Sequence, residues 1–184
     1  MRKCLALLIA IGILLSGAAR ITTSATAESL LASFLPDSGQ LASWQIMVGT
    51  DRGGTTDEML YTIYDGAVPT MRQQGVQSAH QRIYKQGEKR ISLDIYSLGN
   101  WQQAKAYFLP HRETQRDGAE SFTLYNTIKQ QAFVAEAAGS ITGMAWQRNY
   151  VFVVGMQGSG LTDRATVKAF LTFVSNRIKH HYQK

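Results

Sequence analysis

Cysteine is almost missing from this chain of 184 residues, and the one that exists, Cys4, comes before the first apolar run. A lipoprotein cysteine follows such a run, so lipid attachment at Cys4 is not expected. Once a leader of the kind described below is removed, no thiol remains. Disulfides, thiolate zinc sites, covalent haem and cysteine nucleophiles then drop out together. Long hydrophobic stretches are also lacking. The longest, Leu5 to Leu15, is about half the ~20 residues that a spanning helix needs. Nor is there a repeat, a low-complexity tract, a Lys-Ser/Thr phosphate loop or a G-x-S-x-G elbow.

Charge of both signs is sparse, at 17%, against 45% hydrophobic residues, which is the balance of a folding chain rather than a disordered one. The formal charge is +6, but Arg2, Lys3 and Arg20 lie in the leader, and without them +3 remains. The other cations are scattered except for Arg177, Lys179, His180, His181 and Lys184 at the C-terminal end. That distribution is not a nucleic-acid footprint, and no nucleic-acid partner is expected. The basic end admits at most peripheral contact with an anionic membrane or polymer.

Met1, Arg2 and Lys3 followed by the short apolar run have the form of a secretory signal. Ala25-Thr26-Ala27 has the A-x-A form of a cleavage site. Cleavage is therefore expected after Ala27, with Ser16-Gly17-Ala18 (after Ala18) as the alternative. This divides the chain into a signal peptide (1–27), a lead-in (28–40) and one α+β domain (41–184), located outside the cytoplasm, periplasmic or secreted. A mature chain of this length supports one good core.

The patterning predicts a helix over 28–34, then a strand at 44–48, where Trp44, Ile46 and Val48 alternate with Gln45 and Met47. Arg52-Gly53-Gly54 reads as a loop. Thr55-x-x-Glu58 has capping-box form, opening a helix whose stripe is Met59, Leu60, Ile63, Tyr64 and Ala67; Asp65-Gly66 and Pro69 kink it before Gly75. Val76 to Lys85 and Arg90 to Leu98 read as a hairpin. In its second strand Ile91, Leu93 and Ile95 face the core, while Ser92, Asp94 and Tyr96 face a partly wet side. Asn100 caps a helix that Pro110 is expected to stop, with a polar, mobile loop over 111–120. Short strands are predicted at 122–125, 132–137, 141–147 and 150–156, with a tight turn at Arg148-Asn149. Val151 to Val154, apolar on both faces, marks a central strand. Gly155 to Gly160 is a glycine-rich loop, and Thr162 caps a final helix with the stripe Val167, Phe170, Leu171, Val174 and Ile178. The order implies a mainly antiparallel sheet packed by helices and ending in a long amphipathic helix.

Chemical motifs are weak. The Gly155-x-x-Gly158-x-Gly160 loop lacks dinucleotide spacing, and Asp163 puts a negative charge where a phosphate would sit. The histidines His80, His111, His180 and His181 do not share a helical i,i+4 face, so no metal or other cofactor is expected. Asp57, Glu58, Asp65 and Asp94 are the carboxylates able to form an acid/base pair, as in a small hydrolase, although capping accounts for the first two. Aromatics gather in the helix–hairpin–helix region. Tyr61, Tyr64, Asp65, Asp94, Tyr96 and Trp101 are the candidate binding surface, since amphipathic rings line pockets and partner surfaces.

The runs Asp57-Glu58-Met59-Leu60-Tyr61, Ile63-Tyr64-Asp65-Gly66-Ala67, Tyr84 and Asp94-Ile95-Tyr96-Ser97-Leu98-Gly99 resemble a bacterial family of exported domains of unknown function. That family's pattern runs LYxxI(N/D)GA, then YG, then DIYxMG. Here Gln74 replaces the aromatic before Gly75, and Leu98 replaces methionine. The two final strands and long helix are more loosely similar to PsbP and Mog1-like proteins. Both resemblances imply a non-enzymatic binding or accessory module, with an envelope protein or small ligand as partner.

Overall fold

The structure, a computed structural model, describes residues 27, 29–125 and 131–183; the leader and the cleavage sites lie outside them except for Ala27. Eight strands form one antiparallel sheet: β1 (Gln45–Ile46), β2 (Arg52–Gly54), β3 (Val76–Gln86), β4 (Lys89–Leu98), β5 (Ser121–Tyr125), β6 (Gln131–Ala137), β7 (Ser140–Gln147) and β8 (Tyr150–Gln157). Their order is β1-β3-β4-β8-β7-β6-β5, with β2 also paired to β3. A hairpin, β3–β4, and a meander, β5 to β8, are thus joined where β4 meets β8, in the middle of the sheet. Val151 to Val154 lies in β8 between β4 and β7, which explains why that run is apolar on both sides.

Helices cover both faces. On one lie α1 (29–34) and α5 (Gly160–His181); on the other lie α2 (Asp57–Tyr64), a 3-10 turn (Asp65–Ala67), α3 (Val68–Gln73) and α4 (Trp101–Gly118). The α5 stripe Val167, Phe170, Leu171, Val174 and Ile178 is wholly buried against Ile91, Leu93, Phe152 and Val154. At about 1.5–3 kcal/mol for each side chain, this stripe alone contributes on the order of 10 kcal/mol. The close approach of α5 depends on Gly143, where a Cβ would stand 2.5 Å from Val167 Cγ1. Leu31, Phe34 and Leu35 of the lead-in belong to the same core.

Local expectations fail where tertiary contacts outweigh them. Arg52–Gly54 is a strand rather than a loop, because β3 extends past β1 and offers it an edge. The cap of α2 is Thr56, one residue later than the capping-box reading, its side chain accepting from Met59 N. Ser159, not Thr162, precedes α5, and Asp163 Oδ2 accepts from Ser159 N. The glycine-rich segment is shorter than expected because β8 continues to Gln157.

Asn100 does cap α4, accepting from Gln103 N at 2.9 Å, but Pro110 does not stop that helix, which runs on to Gly118. The proline faces solvent, where a missing N–H costs least. Beyond it, His111 stacks on Tyr107, Glu113 pairs with Arg116 at 2.6 Å, and Arg112 reaches Gln131 on β6 at 3.3 Å. The segment 111–118 is therefore helical rather than a mobile loop.

Candidate functional site

The face of β4 expected to be partly wet is instead a polar interior. Asp94 is 8% exposed, and its Oδ1 accepts from Tyr64 OH at 2.9 Å and from Gln81 Nε2 at 2.8 Å. Gln81 lies directly across the ladder from Asp94, and Tyr64 ends α2, so the carboxyl ties a helix and two strands together. The rings of Tyr64, Tyr96 and Tyr107 follow one another at centroid distances of 5.7 and 5.8 Å, and Tyr107 stacks on His111. Burial pushes the Asp94 carboxyl above its ordinary range, against the opposing pull of the Gln81 and Tyr64 hydrogen bonds. Desolvation likewise raises Tyr64, Tyr96 and Tyr107, each also facing negative neighbours.

Of the six candidate residues, this network unites Tyr64, Asp94 and Tyr96 and leaves out the other three. Tyr61 and Asp65 are exposed, and Asp65 has a left-handed backbone (φ 45) where the α2 helix gives way to the 3-10 turn. Asp57 pairs with Arg72 at 2.7 Å, and no contact among the described residues joins Asp57, Glu58 or Asp65 to Asp94. The network acts as a brace between helix and sheet.

A second internal network lies on the α5 face. Arg82 Nε and His80 Nε2 both meet Asp51 Oδ1, at 2.8 and 2.6 Å, while Arg82 also donates to the carbonyls of Leu35 and Pro36. Burial pushes the Asp51 carboxyl up, but the hydrogen bonds and charges of Arg82 and His80 outweigh it and leave it below its usual value. This cluster fastens the segment after α1 to β3.

Trp101, by contrast, opens onto solvent. Its ring is 51% exposed on the first turn of α4, at the rim of a cleft of about 570 Å³ at one end of the sheet. That volume falls within the range of small-molecule sites. Three segments build the cleft: the β4–α4 junction, the β7–β8 turn with Gln147, Arg148 and Asn149, and the end of α5 with Lys179 and Gln183. The turn and the junction are bound to each other, Leu98 N to Asn149 O at 2.8 Å and Asn149 Nδ2 to Leu98 O at 3.0 Å. Arg148, with left-handed φ 57 as the tight turn requires, lies 4.2 Å over the Tyr182 ring, whose hydroxyl meets that of Tyr150 at 2.7 Å.

The floor of the cleft includes Gln147, which is 3% exposed. Its Oε1 accepts from Ser175 Oγ at 2.7 Å, and among the described residues the amide nitrogen has no hydrogen-bond partner. Among the described residues no carboxylate lines the space, and Arg148 and Lys179 are its charged walls. Sequence reasoning singled out Trp101 and placed Lys179 in the basic C-terminal cluster, but read Arg148-Asn149 only as a turn and missed Gln147. The available signal was a glutamine closing a strand immediately before that turn. Of the other basic residues, Arg177 lies over Phe173 and His181 packs on Phe34, while Lys184 is outside the described residues.

Among the described residues no helix is long and apolar enough to cross a membrane. No protein-family model matches the sequence, and neither does any curated protein. The structure is similar to the extracellular domain of PknH from Mycobacterium tuberculosis, with a TM-score of 0.53 and 13% identity over 83% of this chain and 96% of that domain. At such low identity the likeness is one of fold: this chain adopts an α+β architecture that an extracellular domain also uses.

Proposed function

We propose that this chain is an extracytoplasmic, non-enzymatic binding module that holds a small ligand, or a projecting group of an envelope partner, in the cleft between Trp101 and Lys179. The observation that carries this reading is the presence, in one cleft, of a half-exposed tryptophan and a buried glutamine, Gln147, whose amide nitrogen has no hydrogen-bond partner among the described residues. An exposed indole gives apolar contact area, and a pre-positioned donor gives orientation, the two requirements of a small-molecule site. The signal-like N-terminus and the shared fold with an extracellular domain support the location. The resemblance to exported domains of unknown function supports an accessory role rather than a catalytic one. The Asp94 network serves the module by holding α2 and β4, and through them the start of α4, in place.

The experiment is native mass spectrometry of the chain purified from its own cell envelope, alongside a pull-down from the same envelope. A retained molecule or partner is expected, and Trp101→Ala should release it without altering the circular dichroism spectrum. A chain that emerges empty and captures nothing, or whose ligand survives both Trp101→Ala and Lys179→Gln, would end this assignment.

A further inference from the structure

The chemistry of the cleft narrows the class of ligand, on the premise that the cleft is the binding site. Three features have to be satisfied at once. The exposed Trp101 face offers a flat apolar platform. Gln147 and Asn149 bring amide groups, the Gln147 nitrogen having no partner among the described residues and the Asn149 nitrogen already spent on Leu98 O, which leaves its carbonyl oxygen as an acceptor. Lys179 adds a positive charge, and among the described residues it has no carboxylate partner and the cleft no acidic lining. The first turn of α4, beside Trp101, adds backbone donors of the same polarity.

An aromatic platform suits the C–H face of a pyranose ring, and amide donors and acceptors suit its hydroxyls, each of which both gives and takes a hydrogen bond. A purely apolar ligand would leave the Gln147 donor buried and unpaired, at a cost. A bare inorganic anion would leave the indole unused. Surplus positive charge selects a ligand carrying a negative group. We infer that the cleft recognises an anionic saccharide, a sugar unit bearing a carboxylate or a phosphate, stacked on Trp101 with its acidic group toward Lys179.

The other two tryptophans, Trp44 and Trp146, are buried, so quenching of fluorescence by acrylamide reports chiefly on Trp101. The test titrates the full chain with trigalacturonate, its fully methyl-esterified form, glucose 6-phosphate, glucose and inorganic phosphate, following protection of Trp101. One of the two acidic sugars should protect at a concentration at least about tenfold below that needed for its neutral counterpart, about 1.4 kcal/mol of discrimination. Which of the two does so separates a carboxylate source from a phosphate source. Lys179→Gln should reduce the discrimination to within about twofold while the circular dichroism spectrum is unchanged. Equal protection by the neutral sugars, protection by inorganic phosphate as strong as by the sugar phosphate, or no protection by any probe would overturn the inference. In each case a cleft ligand found in the envelope preparation would still leave the binding-module reading standing, so the two failures are distinguishable.

Discussion

Gly143→Ala is a small change with a calculable effect on the wall that carries Lys179. The added Cβ would stand 2.5 Å from Val167 Cγ1 and 2.9 Å from Leu171 Cδ1, against the roughly 3.5–4.0 Å at which carbon atoms rest. Helix α5 therefore has to retreat by about 1 Å or its side chains must leave their rotamers, and overpacking of this size costs about 1–3 kcal/mol. Val167→Ala alone should also destabilise, by about 2 kcal/mol, from two lost methyl groups and the space they leave. Together the two changes should cost clearly less than their sum, by about 1 kcal/mol or more, because the second removes the nearer of the two atoms with which the first collides. Urea unfolding of the wild type, both single variants and the double variant measures this directly, the slope of each transition confirming that the mechanism is unchanged. Strict additivity of the two changes, or no loss of stability in Gly143→Ala, would refute the account of how α5 lies on the sheet.

Two other predictions test the internal networks. Because the Asp94 carboxyl is raised in the folded protein, its ionisation works against folding, so the wild type should lose stability as pH rises from the unfolded carboxylate range through the folded pKa. Asp94→Asn keeps an acceptor for Tyr64 and removes that loss. Chemical denaturation at pH 4 and pH 8 should therefore show the variant gaining on the wild type at the higher pH, and a constant difference between them would contradict the burial argument. Arg82→Met should destabilise by about 1–3 kcal/mol, since it strips the bonds to Asp51 and to the carbonyls of Leu35 and Pro36, and only Pro36 O and Asp51 keep another donor, in Tyr84 OH and His80. Proteolysis near residue 36 should become faster in parallel, and unchanged cleavage would show that the segment after α1 is held by something else.

Much of the fold was legible because local and tertiary demands agree along most of the chain. The α5 stripe, the β3–β4 hairpin, the four short strands of β5 to β8 and the central place of Val151 to Val154 follow from periodicity and turn signals, since each pattern has one face or two that must leave water. The errors occur where a neighbour distant in sequence changes the balance. Arg52–Gly54 becomes a strand only because β3 presents an edge, and the last turns of α4 persist past Pro110 because of the Tyr107–His111 stack and the Arg112–Gln131 contact.

The candidate site divides in the same way. Composition and spacing determined an α+β fold, a signal-like start and aromatics concentrated around α2, β4 and α4, because burial and backbone periodicity act through near neighbours. Only the tertiary structure decided that Tyr64, Asp94 and Tyr96 brace the interior while Trp101 faces a cleft. It also brought Gln147, Arg148 and Asn149 to Lys179, thirty or more residues away. Periodicity states which face of an element is buried, but what that face meets depends on the order of strands in the sheet, and here that order carries the β7–β8 turn to the end of α5.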